Sequence, residues 1–198
     1  PINPAGAFDY AHAPQQFHLT FTSDVHLQAG DLTITGPTGI VPASNFAFTY
    51  DPATFTATWR VTGLPRNQLP DGNYHAAMNA AAVTDAAGNA LAANLSVDFF
   101  ALTADANHDR SVDFDDLVKL AQNYNTSGKT WIQGDFSGDG NVDFDDLVLL
   151  AQRYNIRLAE PAAAAAGLPI SSSLRFNPSA APMRTVGCVL SQPVTPTT

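Results

Sequence analysis

The chain has 198 residues, 45% of them hydrophobic and 14% charged, which is room for one or two globular domains. Nine basic against eighteen acidic residues leave a net charge of −9, a balance that argues against nucleic acid as a partner. A single cysteine, Cys188, excludes an internal disulfide, and no apolar run approaches the eighteen residues that would suggest a membrane span.

Residues 1–15, PINPAGAFDYAHAPQ, are turn-rich and read as a linker entering the first strand. Phe17, Leu19 and Phe21 then alternate with His18, Thr20 and Thr22, and Leu32 and Ile34 repeat the pattern before the Gly36-Pro37 turn. Phe46, Phe48 and Tyr50 alternate on one side of Asp51-Pro52-Ala53-Thr54, and Phe55, Ala57, Trp59 and Val61 on the other, which predicts a hairpin. Tyr74, Ala76 and Met78, then Leu95, Val97 and Phe99, complete about seven short strands. Such strands, punctuated by turns every eight to twelve residues or so, predict an antiparallel β-sandwich. Alternation places Trp59, Tyr50 and Phe48 in its core, not on a sugar-stacking face.

The order FHLTFTSDV, LPDGNYHAAM, VTDAAGNAL and VDFF resembles the bacterial immunoglobulin-like modules of surface-layer and secreted proteins. That resemblance spans residues 1–101, with a core at about 8–101. The histidines His12, His18, His26, His75 and His108 are isolated, and no nucleophile motif or phosphate-binding glycine loop is present, so no catalytic residue is assigned.

The stretch from Asp105 to Tyr124 occurs again from Asp135 to Tyr154, a period of 135 − 105 = 30. Asp105, Asn107, Asp109, Ser111 and Asp113 stand on alternate positions and Asp116 closes the run; Asp135, Ser137, Asp139, Asn141, Asp143 and Asp146 repeat it. A calcium ion takes six to eight hard oxygen ligands at about 2.3–2.6 Å, and a twelve-residue loop supplies them from positions one, three, five, seven, nine and twelve. Two Ca²⁺ ions are therefore the expected cofactors. Ten of the eighteen acidic residues lie in these loops, so two ions would cancel four units of local charge. A solvated acidic run ahead of a helix would explain neither the alternation nor the duplication.

After each loop, Phe114, Leu117, Val118, Leu120, Ala121 and Tyr124, and their counterparts Phe144, Leu147, Val148, Leu150, Ala151 and Tyr154, have helical spacing and read as core stripes. Val112 and Val142, at loop position eight, are expected to pair with each other across the loops. The connecting residues 126–134 have room for a helical turn anchored by Trp131 and Ile132. A calcium loop followed by one helix, twice, with Asp at position twelve, resembles a type I dockerin over residues 102–157. The resemblance implies a protein partner, a cohesin module on a scaffold or cell-surface protein, and owners that are often polysaccharide-degrading enzymes. The positions that carry recognition in that family, ten and eleven of each loop, are here Phe114-Asp115 and Phe144-Asp145, in place of a Ser-Thr-like pair. Ala121-Gln122 and Ala151-Gln152 stand where Lys-Arg is frequent.

The expected architecture is mainly β plus small α: an Ig-like antiparallel β-sandwich, a dockerin-like pair of calcium loop-helix repeats, and a disordered tail over 158–198. The expected protein is a monomeric, non-catalytic attachment module, extracellular or at the cell surface, forming the C-terminal piece of a longer exported chain in which any hydrolase would lie upstream. The alternative is a structural or adhesive surface protein in which calcium only rigidifies the C-terminal domain.

Overall fold

The alternating residues assemble two antiparallel sheets. The computed structural model describes residues 5–161. Of the tail expected over 158–198, the part from 162 onward lies outside the described residues, as does Cys188; residues 158–160 are not disordered but held, Leu158 N–H donating to Arg110 C=O at 2.8 Å, Ala159 C=O accepting from Asn73 and Glu160 pairing with Arg110. In chain order the strands of the first half are β1 (Ala5–Asp9), β2 (Gln16–Thr20), β3 (Val25–His26), β4 (Leu32–Gly36), β5 (Gly39–Ile40), β6 (Phe46–Asp51), β7 (Thr56–Val61), β8 (Gly72–Met78), β9 (Thr84–Asp85) and β10 (Leu95–Ala101). One sheet has the order β1-β2-β7-β6 and the other β10-β8-β4-β5, while β3 and β9 form a separate pair.

The register explains the core. Phe17 and Phe48 both stand opposite Trp59, and Ile34 and Val97 both stand opposite Ala76. Phe17, Leu19, Trp59, Val61, Ile34, Tyr74 and Met78 are buried together. Each fully buried large side chain contributes about 1.5–3 kcal/mol. Trp59 donates its indole N–H to the Ala29 carbonyl at 2.9 Å, so its one polar atom is satisfied in the core.

Residues 5–9 are not linker. They form β1, which pairs in register from Ala5–Thr20 to Asp9–Gln16. The Ala- and Gly-rich sequence hides the strand because its partner, not its own periodicity, supplies the backbone hydrogen bonds.

The second half holds two helices of ten residues, α1 (Phe114–Asn123) and α2 (Phe144–Arg153), with two further short strands, β11 (Thr126–Ser127) and β12 (Asn141–Val142). Each helix starts at a reciprocal cap. The Asp113 side chain accepts from Asp115 N–H while Asp116 accepts from Asp113 N–H, and Asp143 and Asp146 repeat this one period on. Each helix is followed by an asparagine in the left-handed region, Asn125 at φ 60° and Asn155 at φ 65°.

Val112 and Val142 do not pair with each other. Asn125 N–H donates to Val142 C=O at 2.7 Å, and Asn155 N–H donates to Val112 C=O at 2.8 Å. Each loop thus pairs with the segment that follows the other repeat's helix. The left-handed asparagine turns the chain out of the helix and aims its N–H at that loop. Both valines are buried all the same, with Leu120, Leu150, Trp131 and Phe136, in a second core.

Residues 5–161 cluster as one compact unit. Strand β10 serves both cores, because Phe99 packs against the sandwich interior while the next residue, Phe100, belongs to the second core. Of the two expected linker anchors, Trp131 is buried but Ile132 is 46% exposed. Among the described residues no helix is long and apolar enough to cross a membrane.

Candidate metal centre

The two loops are built alike. Asp105 Oδ1 accepts from Asp109 N–H at 3.1 Å and Oδ2 from Arg110 N–H at 2.9 Å. Thirty residues on, Asp135 Oδ1 accepts from Gly138 N–H at 2.8 Å and Oδ2 from Gly140 N–H at 2.9 Å. At the other end of each loop, Asp116 Oδ1 accepts from Ala106 N–H and Asp146 Oδ1 from Phe136 N–H, both at 2.8 Å. Positions one and twelve therefore clamp the loop from both ends.

These four carboxyl groups, Asp105, Asp116, Asp135 and Asp146, are at most 5% exposed. The ion pairs among the described residues join His12 to Asp9, His75 to Asp98, Arg110 to Glu160 and Arg153 to Asp71, and none reaches them. Desolvation raises the pKa of Asp105 to about 6, with the charges of Asp116 and Asp109 acting in the same direction against two backbone hydrogen bonds. Desolvation likewise raises Asp116 and Asp135. A buried carboxylate without a counter-charge is costly, and a divalent cation is the partner that its all-oxygen surroundings would suit.

The remaining sequence-predicted ligands are distributed unevenly. Asn107, Asp109 and Asp139 are exposed, Ser111 and Ser137 half-buried and Asn141 exposed. Asp113 and Asp143 are engaged as helix caps. Among the described residues no three His, Cys, Asp or Glu side chains converge to hold a metal ion. Carboxylates alone would not complete either site; the amide oxygen of Asn107, the hydroxyl of Ser137 and the main-chain carbonyl at position seven would have to contribute.

Positions four and six of both loops are left-handed: His108 at φ 59° and Arg110 at φ 74°, Gly138 at φ 80° and Gly140 at φ 87°. Glycine adopts this region freely, whereas another residue is disfavoured by roughly 1–2 kcal/mol. In loop two the glycine at position four is also steric, since a methyl group on Gly138 would stand 2.6 Å from Ala13 Cβ. In loop one the two larger side chains are spent on contacts. The His108 ring is stacked between Tyr10 and Phe100, with centroids 3.7 Å and 3.9 Å away, and the Arg110 guanidinium lies 4.2 Å over the other partner in that stack, Phe100.

Burial in that stack, and secondarily the charge of Arg110, lowers the His108 pKa to about 4. The imidazole is thus neutral in the fold, and as pH falls from its unfolded value of about 6.5 the unfolded chain gains a proton the folded one refuses, which destabilises the fold. Asp105 acts oppositely, because its raised folded pKa makes the metal-free fold take up a proton near pH 6 before the unfolded chain does. With calcium present, the urea midpoint of the native chain should fall between pH 7 and pH 5, and that of His108→Gln should fall less. Equal falls in the two chains would contradict this assignment.

The helix stripes expected to be core are largely exposed. Only Leu120 and Leu150 are fully buried; Leu117, Val118, Leu147 and Val148 are half-buried, and Ala121, Ala151, Tyr124 and Tyr154 are exposed. Phe114 and Phe144 are each 64% exposed, beside exposed Asp115 and Asp145. The physical reason is the size of the second core: Trp131, Phe136 and the two valines fill it, so each short helix is called on to bury only one edge. Sequence reasoning also missed Asp71, whose carboxylate accepts from Thr103 N–H at 2.7 Å and pairs with Arg153 of α2. Asp71-Gly72 has the local form of a turn, and no local signal marks so distant a partnership.

The chain matches no protein-family model and no curated protein.

Proposed function

We propose that this chain is a calcium-dependent docking module of an exported protein, acting by attachment and not by catalysis, with a cohesin-like scaffold or cell-surface protein as partner. The observation that carries the reading is the duplicate exposure of an aromatic ring beside a carboxylate, Phe114-Asp115 and Phe144-Asp145, at matching positions on two capped helices. Two large rings are exposed to the same extent at equivalent positions of the repeat, and aromatic rings commonly anchor interfaces.

In this reading Asp105, Asn107, Asp109, Ser111, Asp113 and Asp116 would hold one Ca²⁺, and Asp135, Ser137, Asp139, Asn141, Asp143 and Asp146 another. The ions would supply the positive charge that the buried carboxylates lack. Asp105 and Asp116 bring the two ends of loop one together, and Asp113 directs the chain into α1, so that filling the loop sets the angle at which Phe114 is presented. Loop two and Phe144 follow the same logic. The module would be extracellular or at the cell surface, where calcium is abundant enough for sites with Kd of about 10⁻⁴–10⁻³ M.

Binding of the full chain to immobilised cohesin modules is expected in calcium and not in chelator. Asp115→Ala alone and Asp145→Ala alone should each leave binding nearly intact through the other copy, whereas the double variant should lose about tenfold or more. A single substitution that abolishes binding would show that the repeat is structural and not a duplicated docking surface. The contacts of loop one with Tyr10 and Phe100 favour a second reading, a surface protein in which calcium only rigidifies the C-terminal part. Calcium binding without capture of any cohesin module would select it.

A further inference from the structure

Loop one differs from loop two in what its left-handed residues do. His108 is held between Tyr10 and Phe100, and Arg110 Nη1 donates to Asn73 Oδ1 at 2.7 Å while its Nε pairs with Glu160 at 2.9 Å. Asn73 lies on β8 and Phe100 on β10, so both grips end on the same sheet of the sandwich. The backbone N–H of Arg110 meanwhile donates to Asp105 Oδ2 at 2.9 Å. One residue therefore closes the loop with its main chain and holds the sandwich with its side chain. Loop two meets the first half through Gly138, set against Ala13, and through the Phe136 carbonyl, which accepts from Gln68 Nε2 at 2.9 Å. Its left-handed positions have no side chains to reach across.

We propose that loop one is a calcium-controlled latch: ordering it around a cation holds His108 and Arg110 on Tyr10, Phe100 and Asn73 and so fixes the β-sandwich to the repeat pair. This rests on the calcium reading above. A docked side chain can order the loop only if its backbone adopts the strained conformation, and a cation favours that same conformation, so the two bindings assist each other. The coupling is reciprocal: whatever the sandwich adds to calcium affinity, calcium adds to the hold on the sandwich. Loop two, with glycine at both left-handed positions, closes without that help.

Calorimetric titration of the full chain with calcium alone tests the latch. The native chain should bind two ions. Asn73→Ala and Tyr10→Leu, which lie outside both loops, should each weaken one binding step by about tenfold, within the range typical of coupled sites, and leave the other within about twofold. In the same variants, the protection from hydrogen exchange that calcium confers on Gly72–Met78 and Leu95–Ala101 should shrink. Two ions bound with unchanged affinities in both variants would overturn the latch and leave the calcium reading standing. Equal weakening of both steps would overturn it as well, since that is the signature of general destabilisation. A native chain that binds no calcium would overturn both.

Discussion

Trp131→Ala is expected to cost about 3–5 kcal/mol of stability, the usual range for deleting a buried aromatic side chain. The ring is 5% exposed in the second core, edge-on to Phe136 with centroids 5.4 Å apart, and its indole N–H donates to the Asp105 carbonyl at 2.8 Å. Its own backbone N–H donates to Ala11 C=O at 3.1 Å. One side chain thus joins the segment between the repeats to the first residue of loop one, while its main chain reaches the segment after β1. Trp131→Phe should retain most of the burial and lose only the indole hydrogen bond, about 1 kcal/mol. Urea denaturation of the full chain measures both; a loss below about 1 kcal/mol for the alanine variant would mean that the second core stands without its largest side chain.

On the proposed calcium reading, removal of the metal is expected to have an effect of similar size. If each site is filled to about 100 Kd, mass action contributes roughly 2.7 kcal/mol per site, and two sites act on the same small core. Helices α1 and α2 have ten residues each, too few to persist without tertiary support. In excess chelator the helical circular dichroism signal should fall, and hydrogen exchange between Asp105 and Tyr154 should accelerate more than in the sandwich strands β2 and β7. Those strands bury Phe17, Leu19, Trp59 and Val61 against each other and the facing sheet, and need no metal to do so. Unchanged helicity in chelator would sink the claim.

Both expectations depend on residues that were legible to different degrees. The alternation of Phe17, Leu19, Ala57, Trp59, Val61, Tyr74, Ala76 and Met78 stated their burial in advance, because a half-buried strand has only two faces and one must be apolar. The 30-residue repeat likewise marked two equivalent loops and helices. Gly140 announced a left-handed turn at position six, and the 30-residue period carries the same expectation to Arg110, which adopts it at φ 74°; position four, glycine in loop two and His108 in loop one, is left-handed as well. What the side chains of His108 and Arg110 hold was not legible, because the surface that receives them is assembled from Tyr10 and Asn73, far away in the chain, and from Phe100 of the preceding strand.

The helix stripes teach the converse. Periodicity told which residues of α1 and α2 share a face, but not whether anything covers that face. Phe114 and Phe144 are on the apolar side by spacing and in solvent by structure, since burial depends on what packs opposite. The pairing of the loops was undecided for the same reason: Val112 and Val142 are both strand-like, and only the left-handed turns at Asn125 and Asn155 direct each to the other repeat's trailing segment. By itself, then, the sequence determined the local periods, the β-rich first half and the duplicated loops, all of which depend on near neighbours in the chain. Tertiary structure decided which apolar faces stay open, which loop residues grip the sandwich and how the loops cross-pair, because each of those outcomes needs a partner whose approach no local pattern encodes.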